Sequence, residues 1–163
     1  RGTLLSLSST TEVVLECVYA ADIDVTRLPH EQKSVLLRAL EGPWTIGRLQ
    51  QQLLFQRLVP DDAHRACISR NHLELSWTAS GHTLSLRKLS SNALVVGGAL
   101  LPGGHPSTQE VAVHDGTEIG FCGTSTETKV LVFRVSFSSA MKADPGQRQT
   151  LLPQTQADPG QRQ

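Results

Sequence analysis

Aromatic residues are scarce in this 163-residue chain, which contains only two Trp, one Tyr and four Phe. Apolar residues still make up 39% of the sequence, so a core must be built mainly from Leu, Val, Ile and Ala. The length suits one domain with a real core and a flanking tail, and two full domains would be cramped. The composition therefore indicates a single folded globular domain.

Cysteine is also scarce, and Cys17, Cys67 and Cys122 are odd in number and widely spaced. This pattern argues against a disulfide framework and fits a reducing compartment. We expect three ordinary buried thiols.

The chain has no excess charge of either sign, because fifteen basic residues balance fifteen acidic ones. A direct nucleic-acid or anionic-membrane partner usually requires a basic excess, so we expect neither. No apolar run reaches membrane-spanning length and no signal segment opens the chain. Since the first residue is not Met, we expect a fragment of a longer protein and draw nothing about the parent from the missing signal.

Short β segments separated by Gly-rich turns dominate the sequence from Thr11 onward. Alternating or continuous apolar residues predict strands, and pairs such as Gly42-Pro43, Gly97-Gly98 and Asp115-Gly116 supply turns. This rhythm predicts an all-β sandwich or barrel. The predicted strands are Thr11–Tyr19, Ser34–Leu40, Trp44–Ile46, Ile68–Trp77, Thr83–Leu89, Ala93–Val96, Val111–Val113, Thr117–Phe121 and Thr128–Phe137.

One segment, residues 49–59 (LQQQLLFQRLV), has helical rather than strand spacing. Its apolar positions 49, 53, 54 and 58 lie on one helix face, and Pro60 with Asp61 and Asp62 is expected to end it. We predict a short amphipathic helix inserted in a loop and packed on the sandwich, although a role in partner binding stays open.

The two ends of the chain are predicted to lie outside the domain, which spans residues 11–137. Residues 1–10 form an N-terminal extension, and residues 138–163 form a low-complexity tail in which ADPGQRQ occurs twice. The tail is rich in Gln and Pro and nearly empty of large apolar side chains, so we predict disorder.

Three polar clusters stand at the ends of predicted strands, where loops commonly carry function. They are Gly47-Arg48, Ser69-Arg70-Asn71-His72 and Ser90-Ser91-Asn92. The order of these clusters, with the stretches WTIGR, ISRNH, LSLRKLSSN, HDGTEIGF and VLVFRVSF, resembles the forkhead-associated (FHA) domain, a β-sandwich that binds phosphothreonine peptides. The resemblance covers residues 11–137 and implies a non-catalytic, cofactor-free reader of phosphothreonine-containing proteins.

The resemblance also implies a role for each residue of the clusters. Arg48 corresponds to an arginine that contacts phosphate or peptide backbone, Ser69 to a serine that binds a phosphate oxygen, and Arg70 to a second phosphate ligand. Ser91 and Asn92 correspond to residues that hold the phosphate and the peptide main chain. His72, with Gly47, is expected to support the loops from within.

These residue types suit a phosphoryl group, which carries about −1.5 to −2 charge and three strong acceptor oxygens. Guanidinium groups and hydroxyls are the donors that such a ligand needs. The segment Asn92–Gly98 departs from the family's usual Asn-Gly-Thr-x-Val-Asn-Gly pattern, because Ala93, Leu94 and Gly97 replace Gly, Thr and Asn. We expect this to alter loop geometry rather than to remove phosphate ligands.

Three other functions remain open. An FHA-like domain can bind partners without phosphate, for example through the predicted helix. Ser69 and His72 with an Asp such as Asp61, Asp62 or Asp115 would make a serine hydrolase, yet no nucleophile-elbow motif supports this. His64, Cys67 and His72 would supply only three metal ligands. Family association alone implies that the protein is located inside the cell, in the nucleus or the cytoplasm.

Overall fold

The computed structural model describes residues 10–38, 42–78 and 83–140. The predictions for residues 1–9 and for the repeat at 143–163 therefore fall outside the described residues. Within them, no helix is long and apolar enough to cross a membrane.

Two antiparallel sheets form the domain. The larger sheet has the strand order β2-β1-β10-β9-β6-β7, and the smaller has the order β3-β4-β5-β8. The strands are β1 (Thr10–Ala20), β2 (Ser34–Arg38), β3 (Trp44–Ile46), β4 (Leu73–Trp77), β5 (Leu84–Lys88), β6 (Leu94–Val96), β7 (Ala99–Leu101), β8 (Glu110–Val113), β9 (Glu118–Cys122) and β10 (Lys129–Ala140).

The core lies between the sheets and follows the period-2 pattern of the strands. Val13, Leu15 and Cys17 of β1 point inward, as do Leu73 and Leu75 of β4, because alternate side chains of a strand face the same side. Three of the four Phe residues pack together here: the Phe121 and Phe133 rings lie edge to face with centroids 5.9 Å apart, and the Phe55 ring contacts both. Trp77 and Phe137 form a separate aromatic pair.

Three short α-helices and one 3₁₀ turn complete the described fold, namely α1 (His30–Lys33), α2 (Gln52–Leu58), α3 (Asp62–Ala66) and the 3₁₀ turn Val25–Arg27. Helix α2 lies within the predicted helical segment and is anchored by Phe55, whose ring centroid is 5.9 Å from that of Phe121. The buried face differs from the prediction: Phe55 and Leu58 are buried, whereas Leu49 and Leu53 are 60% and 73% exposed. The helix begins only at Gln52, which leaves Leu49 in a preceding turn.

Helix α3 was not predicted from the sequence. Asp61, expected to end the first helix, instead begins the second, because its carboxylate accepts the His64 backbone N–H at 2.9 Å as an N-cap. That hydrogen bond lowers the pKa of Asp61. Residues 47–72 thus form one helical insert between β3 and β4.

The all-β prediction is confirmed, and every predicted strand has a counterpart. Two differences concern length: β4 begins at Leu73 rather than Ile68, and β10 continues to Ala140, beyond the predicted end at Phe137. A further strand, β7, is absent from the predicted set. Gly97 and Gly98, with φ of 56° and 83°, form the tight turn that joins β6 to β7.

Candidate functional site

The two ends of the insert are held together by a close approach of two backbones at Gly47. The Arg48 N–H donates to the Ser69 carbonyl at 3.1 Å, and the Leu49 N–H donates to the Arg70 carbonyl at 3.0 Å. A Cβ on Gly47 would lie 2.1 Å from the Arg70 carbonyl oxygen, so only glycine fits. This contact brings the first two polar clusters side by side.

His72 supports the second cluster from inside the protein. Its Nδ1 accepts the Ser69 backbone N–H at 3.0 Å, so Nε2 carries the proton in the neutral ring. The ring is fully buried and packs on Phe121 with centroids 4.7 Å apart. Burial, with a smaller contribution from nearby Lys88, lowers the pKa of His72 to about 4. These contacts are those expected of a loop-supporting residue.

The second and third clusters meet through side-chain hydrogen bonds. The Ser69 hydroxyl bonds the Ser90 hydroxyl and accepts from Asn92 Nδ2 at 3.1 Å. Asn92 Nδ2 also donates to the Cys67 carbonyl at 2.8 Å, and its backbone N–H donates to Ser90 Oγ at 2.9 Å. Ser69 and Asn92, 23 residues apart in sequence, therefore form one polar network.

Arg48 and Arg70 line a cleft beside this network. Arg48 donates from Nε to the Ile68 carbonyl, and within the described chain its terminal guanidinium nitrogens have no recorded partner. Arg70 is exposed, and its side chain makes no hydrogen bond or ion pair to the described residues. The two arginines thus keep most of their donors available for a ligand.

Ser91 is exposed and belongs to the same loop as Asn92, where its carbonyl accepts the Gly104 N–H at 2.7 Å. Its hydroxyl is not part of the network that joins Ser69 to Asn92. The neighbouring Ser90, which was not among the predicted site residues, occupies that position instead. Two adjacent serines on a turn are indistinguishable in sequence, so only the fold separates their roles.

Lys88 is a buried cation that fixes the third loop. It is 1% exposed, and its ammonium donates to the Ser90 carbonyl at 2.6 Å and to the His105 carbonyl at 2.8 Å. Burial lowers the pKa of this lysine. The sequence contains a signal for this role, because Lys88 falls at an inward-facing position of the alternating strand β5. Lys88 therefore ties the loop that carries Ser90 to the segment around residue 105.

Replacing Lys88 tests this tie. We expect Lys88→Met, which keeps most of the buried stem, to lower the free energy of unfolding by roughly 1.5 kcal/mol because the Ser90 and His105 carbonyls lose a charged donor. Arg87→Met, on the exposed face of the same strand, removes only a surface pair with Glu74 and should cost about 0 to 1 kcal/mol. Urea unfolding measures both, and equal losses would contradict the role of Lys88.

A third arginine at the cleft, Arg65 of α3, was missed by the sequence interpretation. The cleft has a volume of about 210 Å³ and is lined by Arg48, Arg65, Arg70, Gln52 and Gln56 over an apolar floor. We call this surface the arginine cleft. The sequence position of Arg65 did not indicate that it reaches this cleft, because Arg65 lies on α3, a helix that was not predicted.

The other chemical interpretations find little support in the described residues. No cluster of three or more His, Cys, Asp or Glu side chains there is arranged to hold a metal ion, and His64 instead contacts Asp22 at 2.6 Å. Cys17 and Cys122 are buried, but Cys67 is only half-buried, which corrects the expectation of three buried thiols. Burial raises the pKa of Cys17 to about 12, so this thiol stays protonated.

The two antiparallel sheets, with polar loops gathered beside one insert, define a β-sandwich of the FHA type. Solved structures of FHA domains share this fold. The kinase-interacting FHA domain of the kinase-associated protein phosphatase KAPP in Arabidopsis superposes with a TM-score of 0.53 at 16% identity, covering 80% of this chain and 97% of that domain.

Two further similar structures contain bound peptides. An engineered FHA domain with a Myc-pTBD peptide has a TM-score of 0.51 at 15% identity, over 80% of this chain and 93% of its own. The FHA2 domain of Rad53 with a phosphotyrosyl peptide derived from Rad9 has a TM-score of 0.51 at 13% identity, over 81% of this chain and 80% of its own. No family model and no curated protein sequence matches the chain, so the likeness shows the fold.

Proposed function

We propose that this domain is a non-catalytic module that binds phosphothreonine-containing segments of partner proteins. The observation that carries the proposal is the joining of all three loops: Ser69 and Asn92 share one hydrogen-bond network, and Arg48 and Arg70 line the adjacent cleft. Arginine forks and a hydroxyl are suitable ligands for a phosphate dianion. Similarity in fold to a domain solved with a phosphotyrosyl peptide supports phosphopeptides as the ligand class.

The expected strength of binding follows from the donors. A hydrogen bond to a charged group contributes about 1.5 to 3 kcal/mol, so three or four of them support micromolar affinity, about −8 kcal/mol. The overall neutrality of the chain is compatible with this, since the ligand's charge is met by arginines concentrated at one cleft.

The geometry of His72 favours this function over a serine hydrolase. A general base would need to accept the Ser69 hydroxyl proton, but His72 Nδ1 accepts the Ser69 backbone N–H. The Ser69 hydroxyl is instead bonded to Ser90 and Asn92. This arrangement supports a ligand-binding rather than a nucleophilic role for Ser69, and we expect no covalent labelling of it by an activated phosphonate.

Peptide binding tests the proposal directly. We expect a degenerate phosphothreonine library to bind at micromolar Kd and the unphosphorylated library at least tenfold more weakly, with phosphoserine and phosphotyrosine libraries defining residue preference. Arg70→Ala and Ser69→Ala should each weaken phosphothreonine binding about tenfold or more, because each removes a donor to the phosphate. Arg48→Ala should do the same if it remains folded.

Asn71→Ala is the matched control, because Asn71 is an exposed neighbour in the same loop to which no ligand contact is assigned. Its affinity should equal that of the wild type. Equal binding of the phosphorylated and unphosphorylated libraries, or binding unchanged by both Ser69→Ala and Arg70→Ala, would refute the proposal.

One observation favours a second function, phosphate-independent docking on the insert. Leu49 and Leu53 are 60% and 73% exposed and line the same surface depression, and contiguous exposed apolar patches often mark protein contacts. This alternative expects partners to be retained after phosphatase treatment and lost with Leu53→Gln. If the domain binds phosphopeptides instead, partners should be lost after phosphatase treatment and retained by the Leu53→Gln variant.

A further inference from the structure

The arginine cleft contains more positive charge than one phosphothreonine needs. Arg48 and Arg70 come from the loops of the proposed phosphate site, whereas Arg65, Gln52 and Gln56 come from the helices of the insert. The cleft therefore extends from the proposed site onto a surface that the insert builds.

Arg65 is held firmly while retaining donors for a ligand. Its Nη1 donates to the Val59 carbonyl at 3.0 Å, and its Nη2 pairs with the carboxylate of Asp62. The Arg65 side chain is 24% exposed, whereas that of Asp62 is 90% exposed. A guanidinium has five N–H donors, so two contacts leave three. The solvated Asp62 carboxylate is a weak competitor for the Arg65 donors, because exposed ion pairs contribute little.

The two glutamines add neutral donors on the same side. Gln52 and Gln56 are four residues apart on α2, so they share one helix face, and both are exposed. Phe55, fully buried beneath them, fixes that face against the core. The insert thus presents a rigid surface with one cationic and two amide groups.

We infer that the insert end of the arginine cleft, formed by Arg65, Gln52 and Gln56, is a second anion subsite, which binds an additional phosphoryl or carboxylate group of the same peptide whose phosphothreonine is bound by Ser69, Asn92, Arg48 and Arg70. This inference rests on the proposed function and specifies its ligand class: peptides with two anionic residues rather than one. Arginine forks accept phosphate and carboxylate alike, so the two sources share one chemistry.

A peptide scan tests the subsite. Phosphothreonine is fixed at the centre of a neutral peptide, and a second phosphothreonine, a Glu or a Gln is placed at each flanking position in turn. We expect at least one position at which phosphothreonine or Glu binds about tenfold tighter than Gln, as one added charged hydrogen bond allows. The phosphothreonine and Glu peptides distinguish the two sources of negative charge.

Two substitutions that make the cleft less positive, Gln56→Glu and Arg65→Gln, are the decisive variants. Gln56→Glu places a carboxylate beside Arg65 without removing any contact of the fold, and it should abolish the tenfold preference while leaving the singly phosphorylated peptide unaffected within about twofold. Arg65→Gln should do the same. Gln50→Glu is the matched control, since Gln50 is exposed on the insert but does not line the cleft, and it should retain the preference.

The outcomes separate the two ideas. If no singly phosphorylated peptide binds, the proposed function is wrong, and the subsite, which depends on it, is wrong as well. Normal binding of that peptide without a preference for a second anion overturns the subsite alone. If Gln56→Glu weakens the singly and doubly anionic peptides equally, the cleft is part of a single phosphate site, and the subsite is again overturned.

Discussion

Gly47→Ala is expected to lower the free energy of unfolding by about 3 kcal/mol or more, through steric overpacking and the loss of adjacent hydrogen bonds. The reason is geometric, because the new methyl would overlap the Arg70 carbonyl oxygen at 2.1 Å and crowd the Ser69 carbonyl oxygen at 2.8 Å. Both atoms are backbone, so neither can rotate away. The loops must separate and give up the two hydrogen bonds from Arg48 and Leu49.

The same separation should remove ligand binding, because it moves Arg48 away from Ser69 and Arg70. Urea unfolding measures the stability, and titration with the phosphothreonine library measures the binding. Gly123→Ala is the matched control: its Cβ would meet Val130 Cγ2 at 3.4 Å and the Thr128 carbonyl oxygen at 3.5 Å, which are ordinary contacts. A Gly47→Ala protein as stable as the control would show that the close approach does not position the site.

Acidification is expected to destabilise the domain through His72. Burial lowers the pKa of His72 from 6.5 to about 4, so the unfolded chain binds the proton more tightly than the folded protein does. The stabilising contribution of neutral His72 is complete above the pKa that this residue has in the unfolded chain, and it is lost as the pH falls from 6.5 towards 4. Between pH 7.5 and pH 4.5 this residue should remove roughly 2 to 3 kcal/mol of stability.

Protonation also has a local consequence for the loop. A charged imidazole carries hydrogens on both nitrogens, so Nδ1 can no longer accept the Ser69 N–H. The second polar cluster should therefore loosen in the same pH range. Unfolding of the ligand-free protein is the suitable measurement, because the phosphate of a bound peptide itself titrates near pH 6.

His72→Asn should be less stable at pH 7.5 but should lack this decline in stability on acidification. His114→Asn is the control, since this side chain is exposed, and the decline should persist. If the His72 variant does not fold, NMR titration of the wild-type ring answers the same question. A ring that gains its proton near pH 6.5 in the folded protein would contradict the prediction.

The sequence predicted what depends on local pattern. Alternation in segments such as Leu73–Trp77 sets which face is buried, and glycine pairs such as Gly97-Gly98 mark turns, so the all-β architecture followed from short windows. The resemblance in cluster order then identified the FHA-type fold. In the structure Asn92 donates a hydrogen bond to the Ser69 hydroxyl, and ligand binding by these residues remains a prediction.

What the sequence did not predict depends on distant partners. In the sequence Lys88 looks like an ordinary lysine at the end of a strand, and only the structure shows that it donates to the His105 carbonyl. Arg65 reaches the cleft only because Asp61 caps an extra helix, a signal that was taken for a helix end. Ser90 and Ser91 have the same chemistry, and only the neighbouring Ser69 hydroxyl distinguishes them.

The long pairing of β1 with β10 determines where the domain can be attached to other molecules. Thr10 lies opposite Ala140 in the register, so the backbone enters and leaves at neighbouring points. Strand β1 covers eleven residues, about 35 Å at 3.2 to 3.4 Å per residue, and just beyond its far end Asp22 contacts the insert at His64. Fluorophores, surface tethers or a short linker for circular permutation can therefore be placed at Thr10 and Ala140, well away from the arginine cleft.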